Sequence, residues 1–195
     1  MAAVLSPTET NDIRQLRDAG VLQTVDEGMM ARAREGTIFI PCADGHHFDD
    51  LFRTHLRLCG CPDNEDRMHH PLSLNGGALL LPESSPLRRL DDGSYGPDDE
   101  VLLRHLVGAI KLKQPQSIIL YAHAPCGMAR LFGLSIMEEF ELLVRAKQRV
   151  REHVTPYGVT DVRAWFHVYY SDDRNRKTYH FRRDIWELHR AQCAA

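Results

Sequence analysis

No stretch of the 195-residue chain runs through the roughly 18 consecutive apolar residues that a membrane helix needs. Positive charge is not in excess either: 24 Lys and Arg stand against 27 Asp and Glu, a net charge of −3, so no bulk field draws in nucleic acid or anionic lipid. Met1 to Arg17 has no apolar core of the kind a secretory signal carries, and the expectation is a cytoplasmic protein. Internal repeats and low-complexity tracts are missing as well. Without export, the five cysteines are expected to be reduced, which points to metal binding or catalysis rather than to a disulfide framework. What the chain does have is 43% hydrophobic residues, enough for a substantial core, and 11 histidines.

The hydrophobic spacing predicts helices over Thr8–Arg34 in two pieces, forming an arm (1–35) ahead of one α/β domain (36–195). Thr37-Ile38-Phe39-Ile40-Pro41 has the continuous β-forming character of a buried strand. Phe48–Leu58 reads as a helix, Pro71–Leu74 as a second strand, and Pro82–Pro97 as a surface loop. Asp98–Lys113 is a helix with Val101, Leu102, His105, Leu106, Ala109 and Ile110 as its inner stripe. On that stripe His105 reads as a packed core histidine. Ser117–Ala122 is the third strand, Ser135–His153 the longest helix and Val162–Tyr170 the fourth strand. A charged turn at Ser171–Lys177 then leads into a hairpin or helix. Strands alternating with helices imply a mainly parallel β-sheet flanked by helices, with chemistry gathered beyond the carboxyl ends of the strands.

Two segments follow such strand ends. Cys42-Ala43-Asp44-Gly45-His46-His47 follows the first, and His123-Ala124-Pro125-Cys126-Gly127 follows the third. Two thiols and one imidazole suit tetrahedral Zn²⁺ with an open fourth place, which Asp44 also has the position to fill. The spacing equally allows small buried thiols with no ligand role. Cys59-Gly60-Cys61 with His69-His70 is too tight for the usual zinc spacing and reads as a loop with ordinary thiols, and Cys193 as a tail thiol. The basic runs Arg145–Arg151 and Arg174–Lys177 read as solvated surface, and Asn75-Gly76-Gly77 as close backbone packing.

At these residues the chain resembles the β-class carbonic anhydrases. That family carries Cys-x-Asp-x-Arg after its first strand, an Arg-Asn-Ala-Gly type segment, and His-x-x-Cys-Gly after a later strand. The matching stretches are Cys42 to His46, Leu74 to Ala78, and His123 to Gly127, and the likeness runs from about Gly36 to Tyr170. The resemblance implies a β-carbonic-anhydrase-like fold with an N-terminal helical arm, Cys42, His123 and Cys126 as zinc ligands, and Asp44 as hydrogen-bond acceptor or fourth ligand. It implies a hydro-lyase (carbonate dehydratase) that hydrates CO₂ through zinc-bound water, and a homodimer or higher homo-oligomer with no nucleic-acid or membrane partner. Two alternatives stay open: a COS or CS₂ hydrolase on the same fold, and a non-catalytic zinc protein closed by Asp44. The departure is at His46, which stands where the family has the arginine that pairs with the aspartate. Histidine offers one donor per contact, where arginine offers a permanent two-pronged partner. On this reading His46 joins Asp44 as a residue on which catalysis turns. His47, His55 and His69 are nearby in the chain and are candidates for carrying protons.

Overall fold

In a computed structural model, which describes residues 4–26, 36–60, 69–170 and 175–193, the elements run as follows. Helix α1 spans Pro7–Asp18, strand β1 Leu22–Thr24, β2 Thr37–Ile40, helix α2 Phe48–Leu58 and β3 His69–Pro71. Helix α3 spans Asp98–Lys113, β4 Ser117–Ala124, the short α4 Gly127–Leu131 and α5 Ile136–Val154. Strands β5 (Asp161–Tyr169) and β6 (Arg176–Phe181) and helix α6 (Arg183–Cys193) complete the chain.

The six strands form one sheet in the order β1-β6-β5-β4-β2-β3. Strands β3, β2, β4 and β5 are mutually parallel, and β6 turns back antiparallel to β5 as a hairpin. The chain therefore has the mainly parallel α/β architecture that its alternating pattern predicts. Strands β2 and β4 lie in the middle, and every residue of both is buried. That is why they read as continuous apolar runs rather than alternating ones.

The sheet's two faces are covered unequally. Ile38, Ile40, Leu120 and Ala122 meet the stripe Ile136, Phe140, Leu143 and Val150 of α5, together with α1, α3 and Trp186 of α6. Phe39, Ile119, Tyr121 and Trp165 face the other way and are covered by Leu51, Leu58 and Cys59 of α2 and its end. Ser6 and Ser135 start α1 and α5 as capping boxes with Glu9 and Glu138, which satisfies the first free amides of each helix.

Several expectations are corrected. Leu22–Thr24 is a strand on the open edge of β6, not part of a second helix, because Val21 and Leu22 are buried against the sheet while Gly20 (φ +70°) stops α1. The strand after α2 is His69–Pro71, earlier than Pro71–Leu74, and Leu74 makes only an isolated bridge to Cys42. His105 is exposed: the inner stripe of α3 is Leu102, Leu103, Leu106, Ala109 and Ile110, and position 105 falls outside it. The Pro82–Pro97 segment holds a 3₁₀ turn, Pro86–Arg88, that buries Leu87. Asp99, in the first turn of α3, is buried and clamped by Arg88 and Arg149. The rest of the arm (27–35), Cys61, the turn at 171–174 and the side chain of Cys193 lie outside the described residues.

Candidate metal centre

The parallel register sets the site. Thr37 to Ile40 pair with Ser117 to Leu120, so both strands point their carboxyl ends the same way. Cys42 lies just past the end of β2, His123 is the penultimate residue of β4, and Cys126 lies three residues beyond it at the start of α4. One ligand atom from each of Cys42, His123 and Cys126 lies within 4.8 Å of the others, and all three residues are buried. The structure thus brings together the three residues singled out by type and position.

The Leu74–Leu80 segment shapes the back of the site. Ala43 and Gly77 both donate backbone N–H groups to Leu74 O, at 3.0 and 2.9 Å. Gly77 adopts φ +50°, and a Cβ there would lie 2.4 Å from Pro41 C and 2.5 Å from Cys42 N. Only glycine lets this loop approach so closely. The approach lets Gly76 N–H donate to Cys42 Sγ at 3.2 Å. Donors of this kind favour the thiolate, the form that binds metal. The Cys42 thiol is held well below the ordinary range, chiefly by the Cys126 thiol beside it and then, against the opposing effect of burial, by His123. Cys126 is pushed up by the same contact and by burial. The pair therefore holds one proton readily and gives up the other.

Neither ring nitrogen of His123 makes a well-formed hydrogen bond among the described residues, although both are buried. A buried imidazole left in that state is costly, and a metal ligand role accounts for it. The donor set, two thiols and an imidazole, is one that Zn²⁺ accepts. The residues present fit the metal.

A second group shares His123. A carboxylate oxygen of Asp44 and a ring nitrogen of His47 lie within 4.8 Å of each other and of a His123 nitrogen. Asp44 Oδ1 accepts the backbone N–H of His46 at 2.9 Å, while the His46 side chain is exposed. Contact with Asp44 is therefore made through the backbone of residue 46. The buried His47 ring stacks on Tyr169 at 3.9 Å between centroids and lies 5.3 Å from His123. Tyr169 OH donates to His47 O at 2.9 Å. Burial, reinforced by His123, pushes His47 down to about 4, so its ring is neutral at pH 7. His55 and His69, close in the chain, sit elsewhere, at the amino ends of the strands.

Two neighbours were not anticipated. His167 is the register partner of His123 on β5, and its Nδ1 pairs with Thr178 Oγ1 at 2.7 Å. Period-two reading of β5 puts Trp165, His167 and Tyr169 on one face, which is the signal that finds them. Glu139 is buried on the inner stripe of α5, and burial, followed by the charge of Glu9, raises its carboxyl well above the usual range. Its sign in the sequence is a carboxylate among apolar positions 136, 140 and 143.

No protein-family model and no curated protein matches the chain. Solved structures do. The likeness is to β-carbonic anhydrases. A mutant form of the β-carbonic anhydrase CafD of Aspergillus fumigatus aligns with 14% identity and a TM-score of 0.47, covering 83% of this chain and 99% of that one. One of two tetrameric β-carbonic anhydrases from Sordaria macrospora aligns at 10% identity and a TM-score of 0.39, over 82% and 83% of the two chains. The carbonic anhydrase of Streptococcus mutans aligns at 14% identity and a TM-score of 0.34, over 90% and 99%.

Proposed function

We propose that this protein is a zinc-dependent, carbonic-anhydrase-like lyase that hydrates CO₂ or a close analogue. The observation that carries the reading is the buried convergence of Cys42, His123 and Cys126 at adjacent strand ends, with neither His123 nitrogen making a well-formed hydrogen bond among the described residues. Bound Zn²⁺ supplies Lewis acidity and brings the pKa of a coordinated water from 15.7 towards about 7. Cys42, His123 and Cys126 hold the ion. Asp44, fixed at Oδ1 by the His46 N–H, keeps Oδ2 to accept a hydrogen bond from the attacking water and so orients it. The stacked His47 and Tyr169 rings give the site an apolar, neutral wall that suits an uncharged linear substrate.

COS or CS₂ hydrolysis on the same fold is the alternative to CO₂ hydration. We further place the protein as a cytoplasmic homodimer or higher homo-oligomer. No helix among the described residues is long and apolar enough to cross a membrane. Val4 and Leu131 are exposed apolar residues open to a partner copy.

Metal analysis and stopped-flow CO₂ hydration on the purified, zinc-loaded chain test the reading. Expected are hydration above the buffer rate and its loss, together with one equivalent of zinc, in His123→Ala. A zinc content unchanged from the wild type in both Cys42→Ala and His123→Ala would overturn the ligand assignment. A loaded site without hydration between pH 7 and pH 9 would leave the closed alternative, with Asp44 as fourth ligand.

A further inference from the structure

At the amino ends of the strands, under the last turn of α2, a second group of ligand-type side chains converges. His55 and Cys59 are four residues apart, so they lie one helical turn above the other on the same face. Both are fully buried. His69 opens β3 directly opposite Thr37, which opens β2. His55 Nε2 lies 3.6 Å from Cys59 Sγ and 3.2 Å from His69 Nδ1. The three ligand atoms fall within 4.8 Å of one another.

We infer that His55, Cys59 and His69 form a second Zn²⁺ site, separate from the Cys42, His123 and Cys126 centre, that ties α2 to the edge strand β3.

Geometry supports this first. With Zn–N of about 2.05 Å and Zn–S of about 2.3 Å, a tetrahedral ion spaces two nitrogens about 3.3 Å apart and a nitrogen and sulfur about 3.6 Å apart. The observed 3.2 and 3.6 Å match those edges. Thr37 Oγ1, 2.8 Å from His55 Nε2 and 2.9 Å from His69 Nδ1, faces the remaining position.

Proton accounting supports it next. His55 Nε2 has a single proton or a single lone pair, yet three polar atoms crowd it: Thr37 Oγ1, His69 Nδ1 and Cys59 Sγ. It cannot serve all three as a hydrogen-bond partner. A metal takes the lone pairs of both imidazoles and the thiolate together. The other nitrogen, His55 Nδ1, meets the buried Tyr121 OH at 3.0 Å, the kind of outer contact that orients a ligating imidazole.

Titrating the metal-stripped full chain with Co²⁺ tests the inference. Two equivalents are expected in the wild type and one in a Cys42→Ala/Cys126→Ala chain, where the charge-transfer band is that of a single thiolate. Adding Cys59→Ala should remove that last equivalent. His69→Ala in the otherwise native chain should lower two equivalents to one, with circular dichroism and thermal melting confirming a folded protein, and this variant decides the matter if the multiple substitutions do not fold. Two equivalents retained in Cys59→Ala and His69→Ala, or none bound by Cys42→Ala/Cys126→Ala, would overturn it. If the wild type takes one equivalent that only Cys59→Ala abolishes, the second site stands and the proposed catalytic centre falls.

Discussion

Residue 46 is where identity and role part company. The sequence puts a histidine in place of an expected arginine, which directs attention to the imidazole. In the structure that ring is exposed and the residue's backbone N–H holds Asp44. Any residue except proline supplies that donor. His46→Ala is therefore expected to keep CO₂ hydration and zinc content within about twofold. His46→Pro, which deletes one hydrogen bond to a charged group, should lower hydration roughly 10- to 100-fold, the equivalent of about 1.5–3 kcal/mol. Gly45 before it tolerates the restriction that proline imposes on its predecessor. Equal rates in the two variants, read by stopped flow, would show that the backbone bond is irrelevant. Residue type pointed to the side chains proposed to hold metal; it could not tell that the aspartate's partner is an amide, because every residue carries one.

Elements were legible where one periodicity ran uninterrupted. Asp98–Lys113 is helical over the expected span, and β2 and β4 announced themselves by being apolar throughout. Leu22–Thr24 was not legible, since three residues are too few to show a period and only the open edge of β6 makes them a strand. Cys59 and His69 read as ordinary loop residues because the Cys-x-Cys spacing draws the eye, and nothing in the sequence shows that His55, one helical turn before Cys59, meets His69 through the register of β2 and β3. The loop behind Cys42 carries the element-scale prediction. Gly77→Ala puts a methyl group into the backbone at Pro41 and Cys42 and forces φ +50° on a residue with a side chain. A loss of about 3 kcal/mol is expected, with weaker metal binding, since Cys42 must shift to admit the methyl. Gly108→Ala on α3, where nothing lies within 4 Å, is the control and should be neutral or slightly stabilising. Thermal melting with metal titration distinguishes them.

For the molecule as a whole, buried neutral histidines set the response to acid. His55 and His167 titrate near 6.5 when unfolded, but burial lowers both to about 3 in the fold. The unfolded chain thus binds protons first as pH falls. Their contribution to stability is complete above about pH 6.5 and is lost progressively down towards pH 3. By pH 5 the metal-stripped protein should lose about 2 kcal/mol for each of the two, and His167→Gln should show a visibly shallower decline. Melting temperatures measured from pH 7.5 to pH 5 check this, and a flat profile would contradict it. The placement of β4 has a consequence in time rather than energy. All eight of its buried residues pair with β5, and Ser117–Leu120 pair with β2 as well, whereas β1 and β3 are short edges. Amide exchange should therefore be slowest around Ser117–Leu120 and fastest at Leu22–Thr24 and His69–Pro71. His123 then keeps its position through openings that release the edges, so the proposed central site stands built before any metal arrives, while the proposed site at His69 is assembled and dismantled with the edge strand.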